Sequence, residues 1–148
     1  MFHLLTISLP WAAAAGVKGI TLASADRLVG VVVLSTDSSI LTVTENGYGK
    51  RSPENEYRVQ RRGGKGIIAI KASKRNGEIV GAMQVVDEDE VMLIADSGKI
   101  IRMSMEHVRI IGRNTQGVRL INLQPGEKVV GMDQVAAESG EEEDGEEE

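Results

Sequence analysis

Ile79-Val80-Gly81-Ala82 opens an apolar run whose Val-Gly pair stands also at Val29-Gly30, 51 positions earlier, and at Val130-Gly131, 50 positions later. The shift of 51 also carries Asn46-Gly47 onto Ser97-Gly98 and Gly66-Ile67 onto Gly117-Val118. At a shift of 50, Gly16-Val17-Lys18-Gly19-Ile20 falls on Gly66-Ile67-Ile68-Ala69-Ile70. Self-similarity at a fixed period of this size marks repeat architectures, in which one supersecondary unit is stacked on the next. One complete unit runs over 28–78 and a second over about 79–128. The end of an earlier unit precedes them at 16–27, and the start of another follows at 129–136.

Each unit reads as four short strands. In the first these lie at 28–34, 40–44, 49–52 and 66–72, and in the second at 79–86, 91–95, 99–104 and 117–123. The runs are rich in Val, Ile and Thr and are bounded by Gly, Asn, Asp and Ser. Asn46-Gly47 and Ser97-Gly98 are tight-hairpin signals, because a two-residue turn wants positive φ. No window keeps a helical period; 103–108 is long enough for one helical turn at most. Four strands in about fifty residues predict an all-β fold of propeller-like blades of four antiparallel strands. The alternative, a sandwich or barrel with an accidental repeat, sits badly with glycines that recur at one fixed shift. A blade buries its faces against its neighbours, so two complete blades imply a larger ring or self-association through the open faces.

The 148 residues contain no cysteine and only two histidines, His3 and His107. A disulfide framework and a thiolate metal site are thereby excluded, and His-based acid–base chemistry has little to draw on. Aromatic residues make up 3%, so aliphatic side chains must build the core. No apolar run is long enough to span a bilayer as a helix. The opening MFHLLTISLPWAAAA has an apolar stretch followed by alanines, but its start lacks the Lys or Arg of a secretory signal.

Net charge is −5, yet the mean conceals a segregation. Residues 138–148 hold eight acids and no base, and the rest of the chain is +3. Residues 50–75 hold nine bases and two acids, a window of +7. Such asymmetry points to a polyanionic partner. Its centre is Gln60-Arg61-Arg62-Gly63-Gly64-Lys65-Gly66, with three cations, three glycines and no carboxylate in seven residues. Glycine allows the backbone to turn and to approach a partner closely, and Arg and Lys supply charged donors to phosphate oxygens. The plain alternative for so short a motif is a solvated basic turn.

Four segments carry a resemblance: Glu45-Asn46-Gly47-Tyr48-Gly49-Lys50-Arg51, the heptad at 60–66, Val80-Gly81-Ala82, and Gly112-Arg113-Asn114-Thr115-Gln116-Gly117-Val118. Together with the acidic tail they make residues 16–148 resemble the last two blades of the carboxy-terminal domain of the bacterial DNA gyrase A subunit. The heptad is similar to that family's gyrase A box. The resemblance implies a six-bladed β-pinwheel that exchanges strands between blades and wraps double-stranded DNA on a basic rim. It places Gln60, Arg61, Arg62, Gly63, Gly64, Lys65 and Gly66 in a rim loop on the DNA path, and 112–117 in the degenerate loop of the next blade. Lys50, Arg51 and Arg113 are expected as further DNA contacts, and Arg58, Lys71, Lys74 and Arg75 as an extension of the track. The implied role is a DNA-wrapping module of a type II topoisomerase, supporting ATP-dependent negative supercoiling. The implied partners are the remaining blades and cleavage domain of the gyrase A subunit, together with the gyrase B subunit, in the bacterial cytoplasm at the nucleoid. ATP and Mg would bind elsewhere in the holoenzyme, and this segment would hold no cofactor, metal or catalytic residue.

Two departures stand out. The family's box usually lies in the first blade, whereas here it lies in the penultimate repeat. Trp11 and four alanines occupy the place where the resemblance implies a Gly-Arg pair before Gly16, so residues 1–15 read as a non-native or disordered leader. Neither Tyr48 nor Tyr57 is accompanied by the metal-binding acids and base that a phosphodiester-forming tyrosine needs. Asp87-Glu88-Asp89-Glu90 lacks the ligand spacing of a calcium loop and reads as a solvated turn. The tail over 137–148 reads as disordered, a solubilising segment or a competitor of DNA for the basic rim. Two other readings compete: the equivalent domain of the topoisomerase IV A subunit, whose boxes are usually fewer and more degenerate, and a protein–protein interaction propeller fragment.

Overall fold

The computed structural model describes residues 3–4, 16–71 and 73–135. The acidic tail, and all of the leader except positions 3 and 4, lie outside the described residues. Nine strands occur among the described residues: β1 (His3–Leu4), β2 (Ser39–Thr44), β3 (Tyr48–Pro53), β4 (Ile67–Ile68), β5 (Ile79–Val85), β6 (Glu90–Ala95), β7 (Ile100–Ser104), β8 (Val118–Arg119) and β9 (Val129–Val135). Two single turns of 3-10 helix follow the hairpins, at Glu54–Glu56 and Met105–His107, and no α-helix is present among the described residues. All ladders between these strands are antiparallel.

The hairpins are the fixed points of the repeat. β2 and β3 pair from Ser39↔Pro53 to Val43↔Gly49, closing on Asn46-Gly47, and β6 and β7 pair from Glu90↔Ser104 to Ile94↔Ile100, closing on Ser97-Gly98. Each hairpin takes its next strand from the following repeat: β5 adds to β2, and β9 adds to β6. Both additions carry a register shift at equivalent places, Val43/Thr44 and Ile94/Ala95. β8, also from the later repeat, pairs with β3, giving a four-stranded sheet in the order β5, β2, β3, β8. The other main sheet is β7, β6, β9. A sheet is thus shared between consecutive repeats, whereas simple counting along the chain assigns four strands to one.

That sharing explains the largest departure from the sequence expectation. Residues 28–34 align with β5 and β9, but no described strand pairs with them. β5 and β9 find their partners in the hairpin one repeat upstream, and none of the described residues supplies such a hairpin for 28–34. Val31 and Val33 are accordingly 82% and 88% exposed. The strands expected at 66–72 and 117–123 shrink to the two-residue β4 and β8, because the loops that follow them serve as braces rather than ladder. The turn expected near 103–108 is the 3-10 segment Met105–His107.

Burial follows from the layering. β2 is covered on both faces along its length. Leu41 and Val43 point into a core with Val85, Val91, Leu93, Met105, Val108, Ile121 and Val129, between the two main sheets. Ile40 points the other way, against Tyr57, Ile67 and Ala69. β6 alternates buried and half-buried residues, so it packs one face only. At about 25 cal/mol per Å² of apolar surface, these aliphatic side chains are the main favourable term holding the sheets together.

Candidate nucleic-acid interface

The basic heptad forms the loop between the first 3-10 turn and β4. Gly63 and Gly66 have φ of 74° and 75°, the left-handed region that side chains resist. The loop is held by main chain from the preceding repeat. Gly63 N–H donates to Gly19 O at 2.7 Å, Thr21 N–H donates to Gly64 O at 2.8 Å, and the Thr21 hydroxyl donates to Gly63 O at 2.6 Å. With its backbone occupied in this way, the loop leaves Arg61, Arg62 and Lys65 exposed. Gln60 is half-buried, and its amide reaches only the carbonyls of Arg58 and Val59. Arg58, Lys71, Lys74 and Arg75 are also exposed.

The equivalent loop of the next repeat, 112–117, is built differently. Lys50, expected on the DNA face, is fully buried in β3. Its ammonium donates to Gly112 O at 2.8 Å, to Arg113 O and to Thr115 Oγ1 at 3.3 Å. Burial pushes its pKa down to about 8, opposed by the attraction of Glu56 and assisted by the repulsion of Arg113. Glu56 accepts the Arg113 N–H at 2.7 Å, and the Arg113 guanidinium donates to Ile68 O at 3.0 Å, leaving that side chain half-buried.

Arg51, the other expected contact in β3, is 3% exposed. It donates to Ser39 Oγ at 2.9 Å, Met105 O at 2.6 Å and Asp87 Oδ1 at 2.7 Å, joining one repeat to the next. Strand alternation sends Lys50 and Arg51 to opposite faces of β3, both faces are covered, and both cations brace neighbouring segments. Lys50 and Arg51 are therefore removed from the candidate surface, and Arg113 is retained only in part.

One feature escaped sequence reading. Tyr48 stands opposite Arg119 in the β3–β8 ladder. Its ring lies 4.5 Å from the Arg75 guanidinium and 5.5 Å from that of Arg119, whose Nη2 donates to the phenol oxygen at 2.9 Å. The Arg75 guanidinium, and then that of Arg119, hold the Tyr48 phenol below its ordinary pKa, whereas burial pushes Tyr57 up. The strand-exchanged topology brings Arg119 to Tyr48, and local sequence carries no signal of it. Among the described residues no group of three or more His, Asp or Glu side chains converges as a metal site would need. No described helix is long and apolar enough to cross a membrane.

Comparison with known proteins agrees with this architecture. The family described as "DNA gyrase C-terminal domain, beta-propeller" matches residues 12–35, 38–85 and 89–136. The chain is 46% identical over 123 residues to the DNA gyrase A subunit of Salmonella typhimurium, covering 83% of this chain and 14% of that protein. To its Escherichia coli counterpart it is 48% identical over 121 residues, covering 82% and 14%. A solved DNA gyrase A C-terminal domain superimposes with a TM-score of 0.63 at 28% identity, over 66% of this chain and 33% of that one. A solved C-terminal domain of DNA topoisomerase IV gives 0.75 at 25% identity, over 82% and 38%. The chain thus spans about one seventh of the length of its curated relatives. On the match of the family across all three repeats, the chain belongs to the DNA gyrase C-terminal domain family, with a β-propeller-type fold.

Proposed function

We propose that this chain is a DNA-holding segment, grasping duplex DNA by its phosphates along the edge that carries the heptad. The observation that carries this reading is the exposure of Arg61, Arg62 and Lys65 on a loop whose backbone is committed to Gly19 and Thr21. A loop fixed in this way presents its charges without having to order on binding, so little conformational entropy opposes the contact. Phosphate contacts position a duplex but read no bases, so preference among sequences follows how easily the duplex bends.

The segment acts without a catalytic group or cofactor of its own. In the complete protein it serves ATP-dependent supercoiling, with nucleotide, Mg and strand cleavage handled by the other parts of gyrase. The equivalent domain of topoisomerase IV shares the fold, but the intact heptad and the 46–48% identity to gyrase A subunits favour gyrase.

Charge reversal tests the reading. In a mobility-shift titration the Arg61→Glu/Arg62→Glu/Lys65→Glu variant should lose most of its affinity for a linear duplex while keeping its thermal midpoint. A surface made for a protein partner would leave duplex binding by wild type weak and unchanged by the substitutions.

A further inference from the structure

A second cationic feature lies around the Asn46-Gly47 turn of the β2–β3 hairpin. Tyr48, Arg75 and Arg119 line an open cleft of about 360 Å³, together with Asn46, Glu127 and Lys128. Four cations at the surface of the described residues are matched by an acid: Arg27 by Glu78, Arg102 by Glu90, Lys99 by Glu127 and Lys128 by Glu45. Arg75 and Arg119 have no carboxylate partner among the described residues. Their contacts are the Tyr48 ring and, for Arg119, the phenol and the Asn122 amide oxygen at 3.4 Å.

The acid of this cleft is turned away. Glu127 accepts from the Ser97 hydroxyl, from Gln124 N–H at 2.6 Å and from Lys99 Nζ at 2.9 Å. The repeat sharpens the contrast, because Lys99 occupies in the second hairpin the place of Tyr48 in the first. There the cation is neutralised by Glu127, whereas here two guanidiniums are stacked on an aromatic ring and left charged. A stack that served packing alone would not need two full charges brought together. The Tyr48 phenol accepts from Arg119, so its own proton is available to a third acceptor.

We propose that the Arg75–Tyr48–Arg119 cleft is a second phosphodiester site, gripping the duplex away from the heptad loop. Two planar guanidiniums and one phenol offer the donors that suit a phosphate with two unesterified oxygens. This assignment rests on the reading of the chain as a duplex-binding segment. It extends the contact beyond the heptad loop, so that the heptad and the cleft hold separate phosphates.

The test compares wild type, Arg75→Gln/Arg119→Gln, the single Arg75→Gln and the heptad charge-reversal variant on one linear duplex across a salt series. The cleft double variant should bind about tenfold more weakly at moderate salt, and its salt slope should be shallower by about 0.9, one phosphate's worth. The single variant, which keeps the Arg119–Tyr48 bond, should lose about half that slope and guards against a folding defect in the double variant.

Wild-type affinity and slope in both cleft variants, beside a strong loss in the heptad variant, would overturn the cleft and leave the duplex reading standing. Wild-type behaviour in all variants would overturn both. A separate arm titrates inorganic phosphate at constant ionic strength and follows the Tyr48 ring resonances. Saturable shifts there, with duplex binding indifferent to the cleft substitutions, would make this a site for free phosphate and overturn its assignment to DNA.

Discussion

The Nζ of Lys50 lies 2.8 Å from the carbonyl oxygen of Gly112, 62 residues further along the chain. A cation in the middle of a strand thus fixes a loop of the next repeat, and the loop in return supplies the acceptors that make a buried ammonium tolerable. Replacement by methionine removes the donor and leaves those carbonyls buried without a partner. The Lys50→Met variant should be destabilised by about 1–3 kcal/mol in urea melts near neutral pH.

The same burial sets a pH dependence. The Lys50 pKa is about 8 in the folded protein, against 10.5 for a free lysine side chain. Between these values the unfolded chain holds more protons than the folded one, so this group's contribution makes folding more favourable as pH rises. The stability of wild type relative to Lys50→Met should therefore increase from about pH 8 to about pH 10.5 and be flat below that window. A gap that narrows over this range would contradict the assignment of the buried amine.

Arg51 offers a second separation of structure from binding. Its guanidinium donates to Ser39, Met105 and Asp87 and is buried, out of reach of a phosphate. Arg51→Leu should lower the unfolding free energy in urea melts by roughly 1–3 kcal/mol for each buried acceptor it orphans. The salt slope of duplex binding should stay that of wild type. A shallower slope would place Arg51 on the DNA after all.

The two tyrosines should ionise apart. Arg75 and Arg119 favour the Tyr48 phenolate, while burial disfavours that of Tyr57. Ultraviolet titration should show one phenol ionising below the ordinary value of 10 and the second only above it. In Arg75→Gln/Arg119→Gln the early step should move up to the ordinary range. A single step of two phenols would argue against both environments.

The hairpins were legible because turn chemistry is local: Asn46-Gly47 and Ser97-Gly98 close β2–β3 and β6–β7 as their sequences imply. The period was legible because glycine pairs recur at one shift. Residues 28–34 carry the same apolar pattern as β5, yet stand outside any described ladder, since a strand exists only with a partner and pattern cannot say where that partner is. The fate of each cation was hidden for a related reason. Lys50 and Arg51 read as basic as Arg61 and Arg62, and what separates them is that β3 is covered on both faces whereas the heptad loop is not. The pairing of Arg119 with Tyr48 spans 71 positions and depends on strand exchange, so no local motif announces it.

Gly117 tests the close passage of that next loop over β3. It has φ of 78°, and a Cβ there would lie 2.6 Å from Gly49 O. Gly117→Ala should destabilise by more than about 1 kcal/mol, since strain and collision add. Gly98→Ala also has positive φ but meets open space, and should cost less than Gly117→Ala. Equal losses would mean that the loop does not press on β3.

The central claim, that charge on the heptad loop holds duplex DNA, is tested most directly by the salt dependence of affinity. If about five phosphates are engaged, log affinity should fall against log salt with a slope near −4.5. With Arg61, Arg62 and Lys65 neutralised to Gln, the slope should be shallower by about 2.7. Affinity that barely changed between low and moderate salt, with the same flat line for the neutralised protein, would contradict the account.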